Sequence, residues 1–542
     1  LRVLAPGRVA PANEGADRRS RNFRKHLLLV GTALMAASTG VLTDIGTARA
    51  QQTWIGTTGV YETNTNWSGG SAPVNVNDRA FFSDTGTVTN ITVGSSHNIN
   101  QWIFTDNAQS YTLSGAAMTI GGIGMGAATA QTINNVLTAN TQITHTGTGS
   151  LTLGGANTYF GGNAIGGGGT LIVSSDDNLG SPLSIVVFVL PGGHLQYTQT
   201  TSSSRQFLLN ADVVGRNDIN VAANQTVTIT GQLTSTGPGV TGLNKSGAGT
   251  LLLNNTSGAT PNDYAGGTTI TGGILALGAA NQLGAAGTPV TFNGADTVLR
   301  FDFQPGAAFS RNVVLTTGGA INTNGNNVNA TGSITGAGAL TKAGGGVLTL
   351  SNAANSYGGG TNINAGILAI VADGSLGTAG TAVTFGGLGG GVLRFDFQPG
   401  AAFNRNIVLN ADGSIDTNGH NVDLSRAISG AAGLFKIGAG TLTLSNANNS
   451  HLHTTIADGT LRVSSNGNLG AGGIAFTDTG LGVLQFDGAV STARDVTLVA
   501  NGTINTGTNN VELSGVIHGT GGLIKTGTGT LTLSSNVGNS YG

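Results

Sequence analysis

Five near-copies of one nine-residue block fix what this chain can fold into. GTGSLTLGG at residues 147–155 returns as GAGTLLLNN at 247–255, GGGVLTLSN at 344–352, GAGTLTLSN at 438–446 and GTGTLTLSS at 527–535. Two residues before each block stand His145, Lys245, Lys342, Lys436 and Lys525, at spacings of 100, 97, 94 and 89. The sequence between blocks repeats too. FDFQPGAAFSRNVVL at 301–315 matches FDFQPGAAFNRNIVL at 395–409, with a degenerate third copy, QFDGAVSTARDVTL, at 485–498. GGTTITGGILAL at 266–277 matches GGTNINAGILAI at 359–370. Self-similarity at a fixed period is the signature of a stacked repeat architecture.

Within a unit the apolar period is two. In Thr441-Leu442-Thr443-Leu444-Ser445 the leucines face one way and the hydroxyls the other. Ile363, Leu368, Ile370, Val383, Phe385, Leu393, Phe395 and Phe397 extend the same inward set. Such alternation marks half-buried strands, and the Gly, Asn and Asp between them supply turn positions. No helical stripe follows residue 50. A short strand with one apolar face cannot bury it alone, whereas stacked turns of a solenoid bury a continuous interior. The expectation is an all-β solenoid of parallel strands with about four coils per unit and about 20 coils in all, on the order of 100 Å long at strand spacing.

Composition agrees. The chain has 542 residues, 92 Gly, no Cys, 8% charged residues and a formal net charge of −2. No cysteine means no disulfide scaffold, no thiolate metal site and no cysteine nucleophile. Near-neutral charge and slightly positive mean hydropathy argue against disorder and against a nucleic-acid surface. The first 50 residues read as a signal peptide. Arg18, Arg19, Arg21, Arg24 and Lys25 form a basic stretch, LLLVGTALMAASTGVL at 27–42 an apolar one, and Ala48-Arg49-Ala50 a cleavage pattern. The apolar run is too short and too rich in Gly, Ser and Thr for a membrane span. The remainder holds 14 Lys+Arg and 21 Asp+Glu, so the exported part is mildly acidic.

The pattern L-x-K-x-G-x-G-T-L-T-L-S-x-x-N-x-Y-x-G-G-T, clearest at residues 340–361, resembles the autotransporter-associated β-strand repeat. The opening WIGTTGVYETNTNWSGGSAPVNVNDRAFF at 54–82 is similar to the lead-in of such passengers. The resemblance implies a type V secretion passenger of a Gram-negative bacterium, folded as a right-handed parallel β-helix and carried outward by a C-terminal outer-membrane barrel. It divides the chain into a signal peptide (1–50), an N-terminal lead-in or cap (51–100) and a repeated β-helix (101–542). SSNVGNSYG at 534–542 parallels residues 351–358, so the chain is read as stopping inside a repeat, without the barrel. An open final coil bearing Leu531 and Leu533 is then expected to self-associate end to end or to fray from the C-terminus.

Asp176-Asp177 is the sole adjacent carboxylate pair and the only echo of a glycosidase dyad. Its counterparts are Ala280-Asn281, Asp373-Gly374 and Asn466-Gly467, which reads as a turn rather than a catalytic site. Arg300/Asp302 and Arg394/Asp396 alternate with Phe301/Phe303 and Phe395/Phe397 and read as outer-face ion pairs worth about 0–1 kcal/mol. His451 and His453 could begin a metal site, but read as a solvated turn. Lys245, Lys342, Lys436 and Lys525 read as strand-end residues with the head in water. No nucleophile elbow, zinc-protease, phosphate-loop or calcium-repeat motif is present.

The sequence therefore predicts no catalytic, cofactor-binding or metal-binding residue and no cofactor. The expected function is that of a non-enzymatic surface passenger, a stalk acting in adhesion or self-association. Its expected partners are host or neighbouring-cell surface components, another copy of itself and the export machinery, with no nucleic acid. Its expected place is the cell surface, outer membrane or medium, or the periplasm should the barrel be absent. The alternatives are a secreted β-helical polysaccharide lyase or hydrolase, and a plain spacer.

Overall fold

A computed structural model describes residues 51–542 except 139–140, 211–216, 236–240, 256–260, 280, 304–307, 400–401 and 478–479. The signal-peptide reading of residues 1–50 lies outside the described residues. Among those described there are 50 strands, four 3-10 helices of three or four residues and no α-helix. The strand pairs are parallel, and the strands join coil to coil in five sheets. Ala130, Ser150 and Thr170 stack in register 20 residues apart, while Asp218 and Asn244 are 26 apart. The molecule is a β-solenoid of about 20 coils, as the repeats require.

Inward and outward positions alternate as the sequence dictates. Leu151, Leu153, Leu251, Leu253, Leu348, Leu350, Leu442 and Leu444 are fully buried. Ile363, Leu368, Ile370, Val383, Phe385, Leu393 and Phe395 are also buried, and all belong to one continuous apolar core. Phe303 and Phe397 differ. They lie beyond their strand ends, only partly buried, with their rings 6.1 and 5.9 Å from Phe301 and Phe395. Phe301 and Phe395 pack edge-on against Phe309 and Phe403 instead.

The stacking register explains the long period. Leu151, Leu171, Leu195, Ile219 and Lys245 occupy one interior column on successive coils. Leu251, Leu275, Leu299, Ile321 and Lys342 form the next such column. Leu348, Leu368, Leu393, Ile415 and Lys436 form a third. Leu442, Leu461, Leu484, Ile504 and Lys525 form a fourth. Each lysine thus stands four coils above the first leucine of the preceding block. The repeat is four coils plus one further strand, so successive lysines step from face to face around the coil. They do not line up along the axis.

Parallel pairing begins already in the stretch 51–100, where Gln51–Thr53, Arg79–Phe82 and Asn98–Phe104 stack in one sheet. An aromatic cluster fills the interior there. Trp54 and Trp67 meet edge to face at 5.1 Å across an isolated antiparallel bridge, and Tyr61, Phe82, Trp102 and Tyr111 pack around them. Their polar tips are bonded, Trp54 Nε1 to Val88 O at 2.8 Å and Trp67 Nε1 to Tyr61 O at 2.7 Å. Buried indoles need such partners.

Because each interior side chain supports the coil above and the coil below, deleting one should cost a full core cavity. Leu393→Ala is expected to lose about 2–5 kcal/mol in urea unfolding, whereas Thr384→Ala on the outward side of the same strand should lose about 0.5 kcal/mol or less.

Candidate functional site

Three of the four recurrent lysines are not at the surface. Lys245, Lys342 and Lys436 are fully buried, each in a column otherwise filled by Leu and Ile. Their ammonium groups meet backbone carbonyls in place of a carboxylate. Lys245 Nζ donates to Ser246 O, Gly247 O and Gly272 O at 2.7, 2.8 and 2.9 Å. Lys342 Nζ donates to Ala343 O, Gly344 O and Ala365 O at 2.9, 2.5 and 3.0 Å. Lys436 Nζ donates to Ile437 O, Gly438 O and Asp458 O at 3.0, 2.5 and 2.9 Å. Two of the three carbonyls in each cage come from the G-x-G corner and its approach, and the third from the next coil. An ammonium has three donors, so each cage is saturated.

The corner explains its glycines. Gly366 has φ +67°, and a Cβ there would come within 2.6 Å of two corner carbonyl oxygens and 2.8 Å of Lys342 Nζ. The first unit uses a histidine for the same purpose: buried His145 Nε2 lies 3.0 Å from Gly149 O. Lys525, in the last unit, is exposed and reaches Gly527 O at 2.9 Å. The expectation of a lysine head in water is therefore corrected for three of the four. A period-two strand sends the lysine position inward, and the turn carbonyls solvate the charge there as water would.

Burial pulls the three ammonium groups down from the ordinary lysine value to about 8, with Asp218 opposing the fall at Lys245 and Asp458 and Asp416 opposing it at Lys436. The ammonium form still prevails at neutral pH.

A second recurrent cation escaped the sequence reading. Arg205, Arg311, Arg405 and Arg494 each open an R-x-x-x-L strand, and each guanidinium reaches back one coil to a ring of carbonyls. Arg405 donates to Leu376 O, Thr378 O, Gly377 O and Asp373 O at 2.9–3.2 Å. Arg205 does the same toward Leu179 O, Ser181 O, Asp176 O and Gly180 O. Burial decides which of them needs a carboxylate. Arg205 and Arg405 are 1% exposed and pair with Asp176 and Asp373 at 3.0 and 2.8 Å. Arg494, half-buried, has the amide oxygen of Asn466 at 3.0 Å in place of a carboxylate, beside the carbonyls of Gly470, Gly472 and Asn466. Half-buried Arg311 bonds Gly284 O at 2.7 Å and the Thr288 hydroxyl at 2.6 Å. The letters R-N-V-V-L and R-N-I-V-L were the available signal.

Asp176 is accordingly a structural anion in a 3-10 turn, Asp176–Leu179, and its neighbour Asp177 is exposed. Arg300–Asp302 and Arg394–Asp396 are two-pronged ion pairs on the outer face, at 2.6 and 2.7 Å for one and 2.7 and 3.0 Å for the other.

The histidines need a further correction. His451 is fully buried, not solvated, with Nε2 2.8 Å from the Thr454 hydroxyl. It occupies the position of Tyr159, Tyr264 and Tyr357, whose buried hydroxyls meet Asn163, Thr268 and Thr361 at 2.6–2.7 Å. Burial first, then Arg494 and His453, lower its pKa to about 4. His453 lies against Phe435 with ring centres 5.9 Å apart. Just before the aromatic position stands an asparagine that staples three coils. Asn355 accepts from Ile334 N and donates to Ser375 O, both at 2.8 Å, and Asn157, Asn262 and Asn449 repeat this. Among the described residues no three His, Asp or Glu side chains converge as metal ligands do.

The passenger-associated-transport-repeat family matches residues 143–173, 243–277, 340–370, 434–463 and 523–542. The first four matches each contain a whole corner: the basic residue, its G-x-G turn and the glycine of the next coil. The chain is also 33% identical over 380 residues to the adhesin BmaC autotransporter of Brucella suis biovar 1 (strain 1330), covering 62% of this chain and 11% of that protein. The chain is an autotransporter passenger bearing these repeats. It spans about a ninth of the length of that relative, and no solved structure matches it. A passenger is a secreted or cell-surface protein, and in this one the recurrent charged residues hold coil to coil.

Two outcomes follow for the passenger. The folded lysine value of about 8 lies below that of a free lysine, about 10.4, so the unfolded chain binds more protons between them. Stability should therefore rise with pH through that window, and the rise in urea midpoint should shrink in Lys342→Met. At neutral pH Lys342→Met should lose about 2–4 kcal/mol by withdrawing the ammonium from Gly344 O and Ala365 O, whereas Ala343 O keeps Thr323 N, and Lys342→His should lose less. Asp176→Ala, which leaves the buried Arg205 unpaired, should lose about 3 kcal/mol in thermal unfolding, and Asp176→Asn less, as Asn466 already serves Arg494.

Proposed function

We propose that this passenger is a non-enzymatic, adhesin-like stalk, engaging host or neighbouring-cell surface components or another copy of itself. One observation carries the reading: the charged groups that recur from unit to unit are consumed by inter-coil bonds. The caged lysines, the arginine braces and Asp176 and Asp373 all stabilise stacking, and the outer-face pairs neutralise each other. Stacking held in this way yields a stiff, uniform support. The kinship with an adhesin supports the same reading.

Export through the signal peptide and display at the cell surface by an outer-membrane barrel complete this reading. Polystyrene beads coated with the passenger should adhere to cultured host cells or to one another above albumin-coated beads. Beads that do neither would contradict it. Polysaccharides incubated with the passenger should yield no new reducing ends, whereas turnover lost on Asp177→Asn would establish an enzyme instead.

A further inference from the structure

The arginine brace of the fourth unit stands without a carboxylate at the position where two others have one. Arg205 and Arg405 grip the main-chain oxygens of Asp176 and Asp373 through Nη2, at 2.8 and 3.0 Å, and pair with the carboxylates of the same residues. Arg494 makes the same grip on Asn466, with Nη2 on the main-chain oxygen at 3.2 Å and Nε on the side-chain amide oxygen at 3.0 Å. Burial pulls the Arg494 guanidinium below its ordinary pKa. A carboxylate at residue 466 would offset that cost better than an amide does.

Asn466 is also placed to become one. It precedes Gly467, and a glycine nitrogen attacks its neighbour's side-chain amide with the least hindrance, because no Cβ stands beside it. Five Asn-Gly pairs occur in the chain, beginning at Asn293, Asn324, Asn418, Asn466 and Asn501. Two are restrained, since the Gly325 and Gly502 N–H groups donate to Gly345 O and Gly522 O, both at 3.0 Å. The N–H groups of Gly294, Gly419 and Gly467 have no acceptor among the described residues. Of these three pairs, Asn466 alone has a donor on its amide oxygen among the described residues, and that donor is a cation. Asn418 instead turns its amide nitrogen to the Asp396 carboxylate at 3.1 Å. A guanidinium on the amide oxygen draws electrons from Cγ and stabilises the oxyanion that forms there under attack. Asn466 is exposed, so water reaches it.

We propose that Asn466 is a self-modification site, deamidating through a succinimide to the aspartate that Arg494 lacks. The Gly467 nitrogen gives its proton to solvent and bonds to Asn466 Cγ. The Cγ–Nδ2 bond breaks, and ammonia leaves with a proton taken back from solvent. Water then adds to Cγ, the bond from Cγ to the Gly467 nitrogen breaks, and that nitrogen regains a proton. The new acid ionises beside Arg494, as Asp176 and Asp373 do beside Arg205 and Arg405. Opening the ring at its main-chain carbonyl would instead insert a methylene two residues before Asn468, whose amide oxygen accepts from Ser464 N and Ser465 N at 3.0 and 2.7 Å. The turn therefore favours aspartate over isoaspartate.

The test is to age the purified chain in mildly alkaline buffer and follow each asparagine by peptide mass spectrometry, with electron-transfer fragmentation to tell aspartate from isoaspartate. Asn466 should convert at least about tenfold faster than Asn293, Asn324, Asn418 and Asn501, and chiefly to aspartate. Arg494→Gln, which takes the cation from the amide oxygen, should slow the conversion at least about tenfold. Should Arg494→Gln fail to fold, the rates at Asn293 and Asn418 give the comparison within the unaltered chain, because their glycine nitrogens are equally unpaired. The aged chain and a fresh Asn466→Asp chain should both unfold at a higher temperature than the fresh parent. Asn466 lasting as long as Asn293 and Asn418, isoaspartate as the chief product, an undiminished rate in a folded Arg494→Gln chain, or an Asn466→Asp chain no more stable than its parent would overturn the proposal.

Discussion

The solenoid depends on how a tight corner satisfies its own carbonyls. Each G-x-G corner turns the chain from one face to the next and leaves carbonyl oxygens pointing into the interior, only some of which meet an N–H of the preceding coil, as Ala343 O meets Thr323 N at 3.1 Å. Unpaired, each would cost about 1–3 kcal/mol. The lysine ammonium closes three at once, two within its own corner and one on the following coil. The charge is not neutralised; it is solvated by dipoles. That is why an ion can replace Leu or Ile in a core column, and why histidine, a weaker donor, replaces it once.

The other recurrent polar groups perform the same task with different reach. The asparagine staple bonds the coil below through its oxygen and the coil above through its nitrogen. The arginine brace collects carbonyls of the preceding coil, and only where it is wholly buried does a carboxylate accompany it. Stacking a four-coil-plus-one-strand unit on itself moves these devices around the axis. No face is left carrying all of them.

Much of the fold was legible because its two periods are written directly in letters. Thr441-Leu442-Thr443-Leu444 announces a half-buried strand, and the spacing of the basic residues announces the unit. What the letters hid was direction. Lys342 and Leu348 both point inward, yet general experience places a lysine outside, and only the carbonyl cage overrides it. His451 was misplaced for a related reason: in a unit with a shorter turn, the ring fills the slot of a tyrosine. The arginines were visible as R-N-V-V-L and R-N-I-V-L, but their partners are backbone atoms 20 or more residues earlier, which no local pattern displays.

The central claim is that Lys245, Lys342 and Lys436 are sealed inside the coil while Lys525 is not. Beyond residue 50 these four are the only lysines, so amine-reactive labelling of the native chain, read residue by residue by mass spectrometry, addresses the claim directly. The account predicts that Lys525 reacts promptly, and that the other three stay unmodified until the chain is unfolded. Equal labelling of all four under native conditions would contradict it.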